Sequence, residues 1–296
     1  MGGVEQTGRA GAVAGRLSRA HEALRARYVR GQLSTVVFEF VTFGIKQAWA
    51  CLFGGALLAV ILATYLWYPA DAALSRFDFL VLAAVALQVA MLTTGLESWE
   101  EARVILAFHI VGTVMEIFKT HMGSWIYPGD SLLRIGGVPL FSGFMYAAVG
   151  SYIARVWRIF DFRFQNFPPL WLQYALAIVI YVNFFAHHFL PDIRFGLFAA
   201  CLLVYGRCFI WFRPDRAHRP MPLLIGFGLV ALFIWFAENL GTLARAWAYP
   251  GQDAGWKLVS WAKFGSWYLL MIISFVLVAA IHRHQKEYNA EKSPDC

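Results

Sequence analysis

Charged residues are scarce in this sequence, and their scarcity narrows the class of protein. Asp, Glu, Lys and Arg make up 15% of the 296 residues, whereas hydrophobic residues make up 59%. Soluble domains carry about 25% charged residues. The shortage of charge therefore argues against an ordinary soluble domain and predicts an integral membrane protein.

Disulfide and metal-binding patterns are lacking as well. The four cysteines, Cys51, Cys201, Cys208 and Cys296, show no spacing typical of a metal site, and three lie inside apolar stretches. We interpret them as free cysteines, and no local motif assigns a metal or a cofactor. The formal charge is +7, but we expect the basic residues to orient the chain in a membrane and predict no nucleic-acid partner.

Stretches long enough to cross a bilayer recur along the chain, since a span needs roughly 20 mostly apolar residues. Six such stretches lack charged residues: Gln47–Ala70, Phe79–Leu96, Ile135–Ala154, Phe164–Pro191, Pro220–Ala237 and Phe264–His282. Two more, Val104–Lys119 and Phe195–Phe212, are interrupted by Glu116 and Arg207 respectively. The sequence therefore predicts an all-α integral membrane protein with about eight transmembrane helices.

The basic residues predict the orientation of these helices. Six arginines precede the first span, and the loops expected on the same side hold Arg103, Arg155 and Arg158. Because basic loops face the cytoplasm, we predict a multi-pass protein of the cell membrane with both termini cytoplasmic. Residues 1–46 are predicted to form an arginine-rich cytoplasmic leader with an interfacial segment, and residues 285–296 a cytoplasmic tail. Membrane lipid is the expected partner, and the sequence assigns no oligomeric state.

A repeat with an offset of 122 residues organises the membrane part, and such repeats indicate duplicated architectures. The recurring pairs are Glu116/Glu238, Trp125/Trp247, Tyr127/Tyr249, Pro128/Pro250, Gly129/Gly251, Gly143/Gly265 and Tyr146/Tyr268. We interpret residues 47–163 and 164–284 as two four-helix repeats. Four spans preserve orientation, so the repeats are predicted to be parallel.

The recurring glutamates are the main candidate site. A carboxylate inside a bilayer is costly and generally faces protein or a water-filled cavity. Glu116 shares one helical stripe with His109 and Lys119, although a purely structural Glu116–Lys119 pair is the alternative. Across a pseudo-twofold axis, Glu116 and Glu238 are predicted to face each other.

A histidine cluster at the end of the fifth span adds further candidates. Asn183 and His187 lie on one helical face, His188 is adjacent, and His121 follows the third span. Adjacent histidines point about 100° apart on a helix, which disfavours a local metal pair. A metal held jointly by His187 or His188, His121 and a carboxylate is the alternative that stays open.

Four segments of the chain resemble the YoaT-like family of bacterial integral membrane proteins, which implies a membrane fold without an assigned activity. These segments are Thr94–Glu101, Glu116–Lys119, Gly123–Pro128 and Gly137–Tyr146. A shorter stretch also resembles carotenoid hydratases of the CruF type, through Glu116, Tyr127 and the Gly-Val-Pro at residues 137–139. The hydratase segment before Gly-Val-Pro is replaced here by residues 131–135. This second resemblance implies acid/base chemistry on an isoprenoid.

Together these features favour a membrane enzyme that uses carboxylate acid/base chemistry on a lipid or isoprenoid-like substrate near the outer side of the membrane. The predicted catalytic residues are Glu116, Glu238, His121 and His187. The predicted substrate-binding residues are His109, Lys119, Trp125, Tyr127, Asn183, His188, Asn239, Trp247 and Tyr249. The alternative is a proton-coupled transporter or channel with parallel repeats, in which the same glutamates bind protons. A membrane protein without any site is the third hypothesis.

Overall fold

The computed structural model describes residues 19–252 and 254–281, so most of the predicted leader and the predicted tail lie outside the described part. Residues 19–28 form helix α1. The following helices are α2 (Gln32–Ala50), α3 (Leu52–Trp67), α4 (Arg76–Thr93), α5 (Trp99–His121), α6 (Phe141–Phe160), α7 (Leu170–Ala186), α8 (Arg194–Tyr205), α9 (Leu223–Leu243) and α10 (Trp261–Ile281). The strands are β1 (Arg134–Ile135), β2 (Val138–Pro139), β3 (Arg163–Gln165), β4 (Phe209–Phe212) and β5 (Arg219–Pro222).

Apolar segments become helices because a helix satisfies its own backbone hydrogen bonds in lipid. Within the described residues, α4, α9 and α10 are long and apolar enough to cross a membrane, and α2 with α3, bent by 66°, would add a fourth span. Helices α7 and α8 are apolar but shorter. The protein is therefore mostly helical with three to four candidate spans, whereas the eight predicted spans and two four-helix repeats are not confirmed.

Two hydrophobic clusters form most of the core, and a small third cluster joins α2 to α6. The larger one joins α5 and α6 to α7–α10 and includes Phe108, Tyr205, Phe227 and Phe275. The smaller one joins α3 and α4 to the chain directly after α9, where Ala246 is buried. For helices that cross a membrane, lipid is as apolar as these side chains, so close van der Waals packing holds such helices together more than the hydrophobic effect does.

Glycines let α5 and α6 approach each other closely. A Cβ atom at Gly112 would lie 2.6 Å from the Tyr146 ring, and one at Gly150 would lie 2.6 Å from the Phe108 ring. Small residues at such contacts are typical of membrane helices, because they allow backbones to pack closely. The contact brings α6 against the face of α5 that carries Glu116.

Helix α8 ends earlier than the sequence predicts. The predicted span Phe195–Phe212 is helical only as far as Tyr205. Its last four residues form β4, which pairs antiparallel with β3 and β5. A short apolar run fits a strand as well as a helix, and this run is separated from α8 by Gly206. Arg207 therefore lies after the helix and not inside a span.

Arg155 and Arg158 lie inside α6, and Arg103 lies inside α5, so the prediction that these three arginines lie in loops is wrong. Arg155 shows what such a residue does in a helix. Its side chain is fully buried, and its Nη2 atom donates to Glu97 Oε1 at 3.0 Å. Ser151 donates to the same oxygen, Gln88 Nε2 donates to Glu97 Oε2 at 2.6 Å, and Arg155 Nη1 donates to the Trp49 carbonyl at 3.2 Å. A buried charge needs such partners. The network ties α2, α4 and α6 together.

The segment between α5 and α6 is anchored by Asp78 at the start of α4. Asp78 accepts hydrogen bonds from the backbone N–H groups of Leu132 at 2.9 Å and Leu133 at 2.7 Å, and from the Ser75 hydroxyl at 2.8 Å. These bonds satisfy two backbone donors that the short β1–β2 hairpin leaves unpaired. The loop that carries the predicted aromatic site residues is thereby fixed to the helices.

Candidate carboxylate site

Glu116 on α5 is held by three donors. Its side chain is buried, with 3% exposure. Oε2 accepts from Trp125 Nε1 and from the Tyr127 hydroxyl, and Oε1 accepts from the Tyr146 hydroxyl, each at 2.6 Å. A buried carboxylate needs such bonds because an unpaired charge is costly in a low dielectric. Three predicted site residues are thus brought together, and Tyr146 is added to them.

Glu238 on α9 has a similar but smaller set of partners. It is also 3% exposed. The Tyr249 hydroxyl donates to Oε1, and Trp267 Nε1 donates to Oε2 at 2.8 Å. In both clusters one tyrosine donor follows its glutamate by 11 residues. The loop after each helix therefore folds back onto the carboxylate in the same way.

The aromatic donors of one carboxylate pack on those of the other. Trp125 meets Tyr249 edge to face, with ring centroids 6.1 Å apart. Tyr146 and Trp267 are also 6.1 Å apart, in a tilted arrangement. Aromatic pairs at this separation attract each other by about 0.5–1.5 kcal/mol beyond their buried area. The two carboxylate clusters consequently form one connected site.

A backbone bridge joins the loops that follow α5 and α9. Ile126 and Ala248 exchange two hydrogen bonds of 2.9 Å as an antiparallel pair. The two residues lie 122 positions apart, as do the last residues of α5 and α9. The left-handed residues after these helices, Gly123 with φ 69° and Arg245 with φ 50°, keep the same offset. The local backbone is therefore alike at both carboxylates.

A glycine explains why Tyr146 reaches Glu116, whereas Tyr268, at the equivalent position of the second repeat, does not reach Glu238. Gly112 leaves room for Tyr146 to pass over α5 and bind Glu116. The residue 122 positions later is Ile234, which carries a side chain where Gly112 has none. Tyr268 instead packs on Phe198, with ring centroids 6.0 Å apart. Trp267 supplies the donor that Tyr268 does not.

A second glycine explains the different roles of the repeated tryptophans. Trp247 lies so close to Gly241 that a Cβ atom there would collide with its ring. The equivalent position before Trp125 is occupied by Lys119, so a tryptophan cannot lie there. Trp125 donates to a carboxylate, whereas Trp247 packs in the hydrophobic cluster of α3 and α4.

Lys263 is a site residue that sequence reasoning missed. It lies in the first turn of α10, with Nζ 4.1 Å from the ring centre of Tyr249 and 4.8 Å from that of Trp125. It attracts both Glu116 and Glu238 electrostatically, although no carboxylate among the described residues lies within 4.0 Å of it. The only sequence signal was a lysine two residues before the recurring Gly265. Cation–π contacts hold this ammonium between the two carboxylate clusters.

Lys119 forms a separate cluster with the predicted histidines. Its Nζ atom lies 3.3 Å from His187 Nε2 and 3.0 Å from His188 Nε2, and Ser124 Oγ lies 3.5 Å from the latter atom. His187 Nδ1 lies 3.0 Å from the Asn183 carbonyl, which only accepts. Nδ1 therefore carries the hydrogen, and a neutral His187 presents its lone pair to Lys119.

An ion pair borders this cluster. Arg194 Nε donates to Asp192 Oδ2 at 2.7 Å, and Asn183 Nδ2 donates to Asp192 Oδ1 at 3.2 Å. Burial alone would raise the pKa of Asp192, but hydrogen bonds from the Arg194 backbone and from Asn183 hold that pKa below its usual value. Asp192 is therefore an anion at neutral pH and offsets the charge of Arg194. Arg194 still repels both Lys119 and Lys263.

The remaining predicted residues are not joined to the carboxylates by hydrogen bonds. His109 packs against the Phe144 ring at 4.7 Å, and His121 is exposed at the end of α5. Asn239 accepts from the Val259 backbone N–H at 2.9 Å and so has a structural contact. Among the described residues, no three His, Cys, Asp or Glu side chains converge as metal ligands, so the alternative metal centre is not formed there.

The donor types determine which hydrogen bonds can reverse when a carboxylate takes a proton. A tyrosine hydroxyl can donate or accept, whereas an indole N–H only donates. Oε1 of Glu116 is bound by Tyr146, and Oε1 of Glu238 by Tyr249, while each Oε2 is bound by a tryptophan. If Glu116 takes a proton on Oε1, Tyr146 can turn to accept from it, and Tyr249 can do the same for Oε1 of Glu238.

Comparisons with known proteins agree on the family. The chain is 40% identical over 255 residues to the "Uncharacterized protein YoaT" of Bacillus subtilis (strain 168), covering 86% of this chain and 96% of that protein. The crystal structure of a cross-linked MvINS trimer matches with a TM-score of 0.47 and 10% identity, covering 65% of this chain and 98% of that chain, a likeness too low to support an argument. The resemblance to YoaT is confirmed. A family model matches residues 39–275, and the chain belongs to that family, described as "Protein of unknown function (DUF817)".

Proposed function

We propose that this protein is a proton-coupled membrane carrier in which Glu116 and Glu238 bind and release protons. The observation that carries the proposal is the packing of the aromatic donors of one carboxylate on those of the other. Protonation of Glu116 would turn Tyr146, which contacts Trp267 of the opposite cluster. Protonation of Glu238 would likewise turn Tyr249, which contacts Trp125. Proton binding would thereby favour one arrangement of the two halves over another, as a switching mechanism requires.

We further propose that α3–α6 and α7–α10 are two parallel four-helix halves, giving eight spans with both termini cytoplasmic. The matched ends of α5 and α9 support this arrangement. Helices α5 and α6 carry charged groups, which lowers their mean hydropathy. Charged side chains within membranes face the bundle interior, as Glu116 and Arg155 do here. A low mean hydropathy is therefore compatible with spanning.

Cysteine labelling tests this topology. Lys257→Cys, in the exposed loop before α10, is expected to react with an impermeant maleimide added to intact cells. Arg216→Cys, exposed between β4 and β5, is expected to react only after permeabilisation. Both substitutions are made in a variant that lacks the native cysteines, and that variant without either substitution is the control for unspecific labelling. The opposite pattern, or labelling of both sites from one side, would contradict the parallel eight-span arrangement.

Reconstitution tests the carrier activity. Proteoliposomes that enclose a pH-sensitive dye receive an inward proton gradient and a panel of small polar solutes. We expect proton entry to accelerate with one class of solute and to be lost in Glu116→Gln and in Glu238→Gln. Glu39→Gln is the matched control, because Glu39 pairs with Arg219 outside the site. Proton entry that no solute accelerates, or that both site variants retain, would refute the proposal.

A groove beside the site favours a second candidate function. A cavity of about 490 Å³ between α8, α9 and α10 is lined by apolar side chains such as Leu202 and Trp261, with Arg194 at the start of α8. Apolar pockets with few polar groups are typical of ligand sites. The groove could accept a lipid or isoprenoid-like molecule, in line with the local resemblance to carotenoid hydratases, and acid/base chemistry would require its reacting carbon to reach Glu238 beyond the lining residues. An unchanged lipid and pigment profile in Glu116→Gln and Glu238→Gln cells would exclude this candidate.

A further inference from the structure

We propose that Lys119, with His187 and His188, binds an oxyanion, meaning a carboxylate or phosphate group, and that Lys263 couples this binding to the glutamates. The anion site itself stands on the contacts of Lys119. The coupling rests on the proposed function, because it requires proton exchange at the two carboxylates.

Lys119 is a buried cation without a matching anion. Its side chain is 3% exposed, and no carboxylate among the described residues lies within 4.0 Å of Nζ. Its described polar partners are the two imidazoles, and its Nζ atom lies 4.6 Å from the centre of the Phe184 ring. Lysine is almost never buried unless it is paired. An ammonium group has three donors, so one N–H stays available for an anion.

The charges around Lys119 depend on the state of the glutamates. Arg194 and Asp192 offset each other, which leaves Lys119 and Lys263 as the cations of the site. Lys263 attracts both carboxylates when these are ionised. Once the carboxylates are protonated, its charge is no longer offset, and the region becomes positive. Anion and proton binding would then favour each other, and by linkage each strengthens the other by the same factor.

Several other titratable groups face this region and have to be separated from the glutamates. They are His109 on α5, His187 and His188 after α7, and Tyr127, Tyr146 and Tyr249 around the carboxylates. Protonation of the histidines would also attract an anion. The test therefore needs variants in which the glutamates cannot titrate but the histidines still can.

Sulfate binding tests the anion site, because the charge of sulfate is constant over the relevant pH range. Thermal unfolding of the full-length protein in neutral detergent is followed against sulfate concentration, with chloride at equal ionic strength as the baseline. We expect Lys119→Gln to weaken the apparent sulfate affinity about tenfold to a hundredfold, the effect of losing a charge-assisted hydrogen bond. Lys46→Gln is the matched control, since Lys46 contacts the distant Arg213 carbonyl. Equal sulfate affinity in the wild type and Lys119→Gln would overturn the site.

A conservative variant guards against misfolding. If Lys119→Gln does not fold, two other variants replace it. Lys119→Arg keeps the charge and is expected to keep sulfate binding, whereas Lys119→Met is expected to gain no stability from sulfate.

Nanodiscs distinguish a soluble anion from a lipid headgroup. Nanodiscs with phosphatidic acid are compared with nanodiscs of phosphatidylcholine alone. Stabilisation by soluble sulfate identifies a solute site, and stabilisation by phosphatidic acid alone identifies a lipid headgroup site. Stabilisation by neither overturns the proposal.

The pH dependence tests the coupling. In the wild type we expect the apparent sulfate affinity to be higher at mildly acidic than at mildly alkaline pH. In Glu116→Gln/Glu238→Gln both side chains stay neutral, so the difference in sulfate affinity between the two pH values is expected to shrink. If the double variant keeps the pH dependence of the wild type, the histidines or Lys119 itself cause it and the coupling is refuted. Sulfate binding without any solute-driven proton flux would refute the carrier and leave the anion site standing.

Discussion

Replacing Gly112 by alanine tests whether the glycine contact holds Tyr146 on Glu116. In Gly112→Ala the new Cβ atom would lie 2.6–2.7 Å from three atoms at the base of the Tyr146 side chain. Carbon atoms prefer separations of about 3.5–4.0 Å, so the ring has to move by roughly 1 Å. The base of the ring cannot yield as a flexible tip could. The Tyr146–Glu116 hydrogen bond of 2.6 Å is therefore expected to break.

The expected cost follows from three terms. A hydrogen bond to a charged group contributes about 1.5–3 kcal/mol, and overpacking costs about 1–3 kcal/mol. Alanine in place of glycine returns about 1 kcal/mol of helix propensity. We expect Gly112→Ala to lower the free energy of unfolding by about 1.5–5 kcal/mol, measured by denaturant unfolding in detergent.

A second glycine provides the matched control. Gly55 lies in α3 with no atom within 4 Å of an added Cβ, so Gly55→Ala is expected to be neutral or stabilising by up to about 1 kcal/mol. Because both variants disturb the same bond, Gly112→Ala and Tyr146→Phe are expected to be less than additive. If Gly112→Ala is as stable as Gly55→Ala, or if the two effects simply add, the proposed displacement of Tyr146 is incorrect.

Three further predictions concern the structure around the site. Arg155→Met leaves Glu97 buried without its ion pair and should cost about 3–5 kcal/mol of unfolding free energy, whereas Arg158→Met, at a side chain that is 50% exposed, should cost at most about 1 kcal/mol. Asn239→Ala removes the acceptor of a buried backbone N–H after α9 and should cost about 1–3 kcal/mol, with faster hydrogen exchange of that amide; unchanged exchange would contradict this role. Asp78→Ala frees two backbone N–H groups of the β1–β2 hairpin and should make the loop between α5 and α6 more sensitive to proteases, an effect absent if the loop is anchored elsewhere.

The sequence predicted the helical character and the carboxylates because both are local signals. Apolar stretches, the glutamates within them and the spacing of 11 residues between each glutamate and a tyrosine can be read from the sequence. The extent of α8 was not predictable, since a four-residue apolar run fits a strand or a helix equally well. The burial of Arg155 was hidden because its partner Glu97 belongs to a different helix–loop segment.

The composition of the site depended on contacts between distant parts of the chain. Lys263 joins the carboxylates through packing on Tyr249 and Trp125, which no motif indicates. The sequence repeat suggested equivalent roles for Trp125 and Trp247, but a single difference, lysine against glycine, gave them different contacts. Repeated residues therefore indicated which side chains lie together better than they indicated the contacts of each side chain.

Infrared spectroscopy tests most directly whether Glu116 and Glu238 exchange protons. In pH-difference spectra of the protein in lipid films, the carbonyl stretch of a protonated carboxylic acid is expected to appear on acidification. The band should weaken in Glu116→Gln and in Glu238→Gln, vanish in the double variant, and persist in Asp192→Asn, which alters a carboxylate that is already ion-paired. A band that is unchanged in the double variant would show that other carboxylates titrate and would contradict the account.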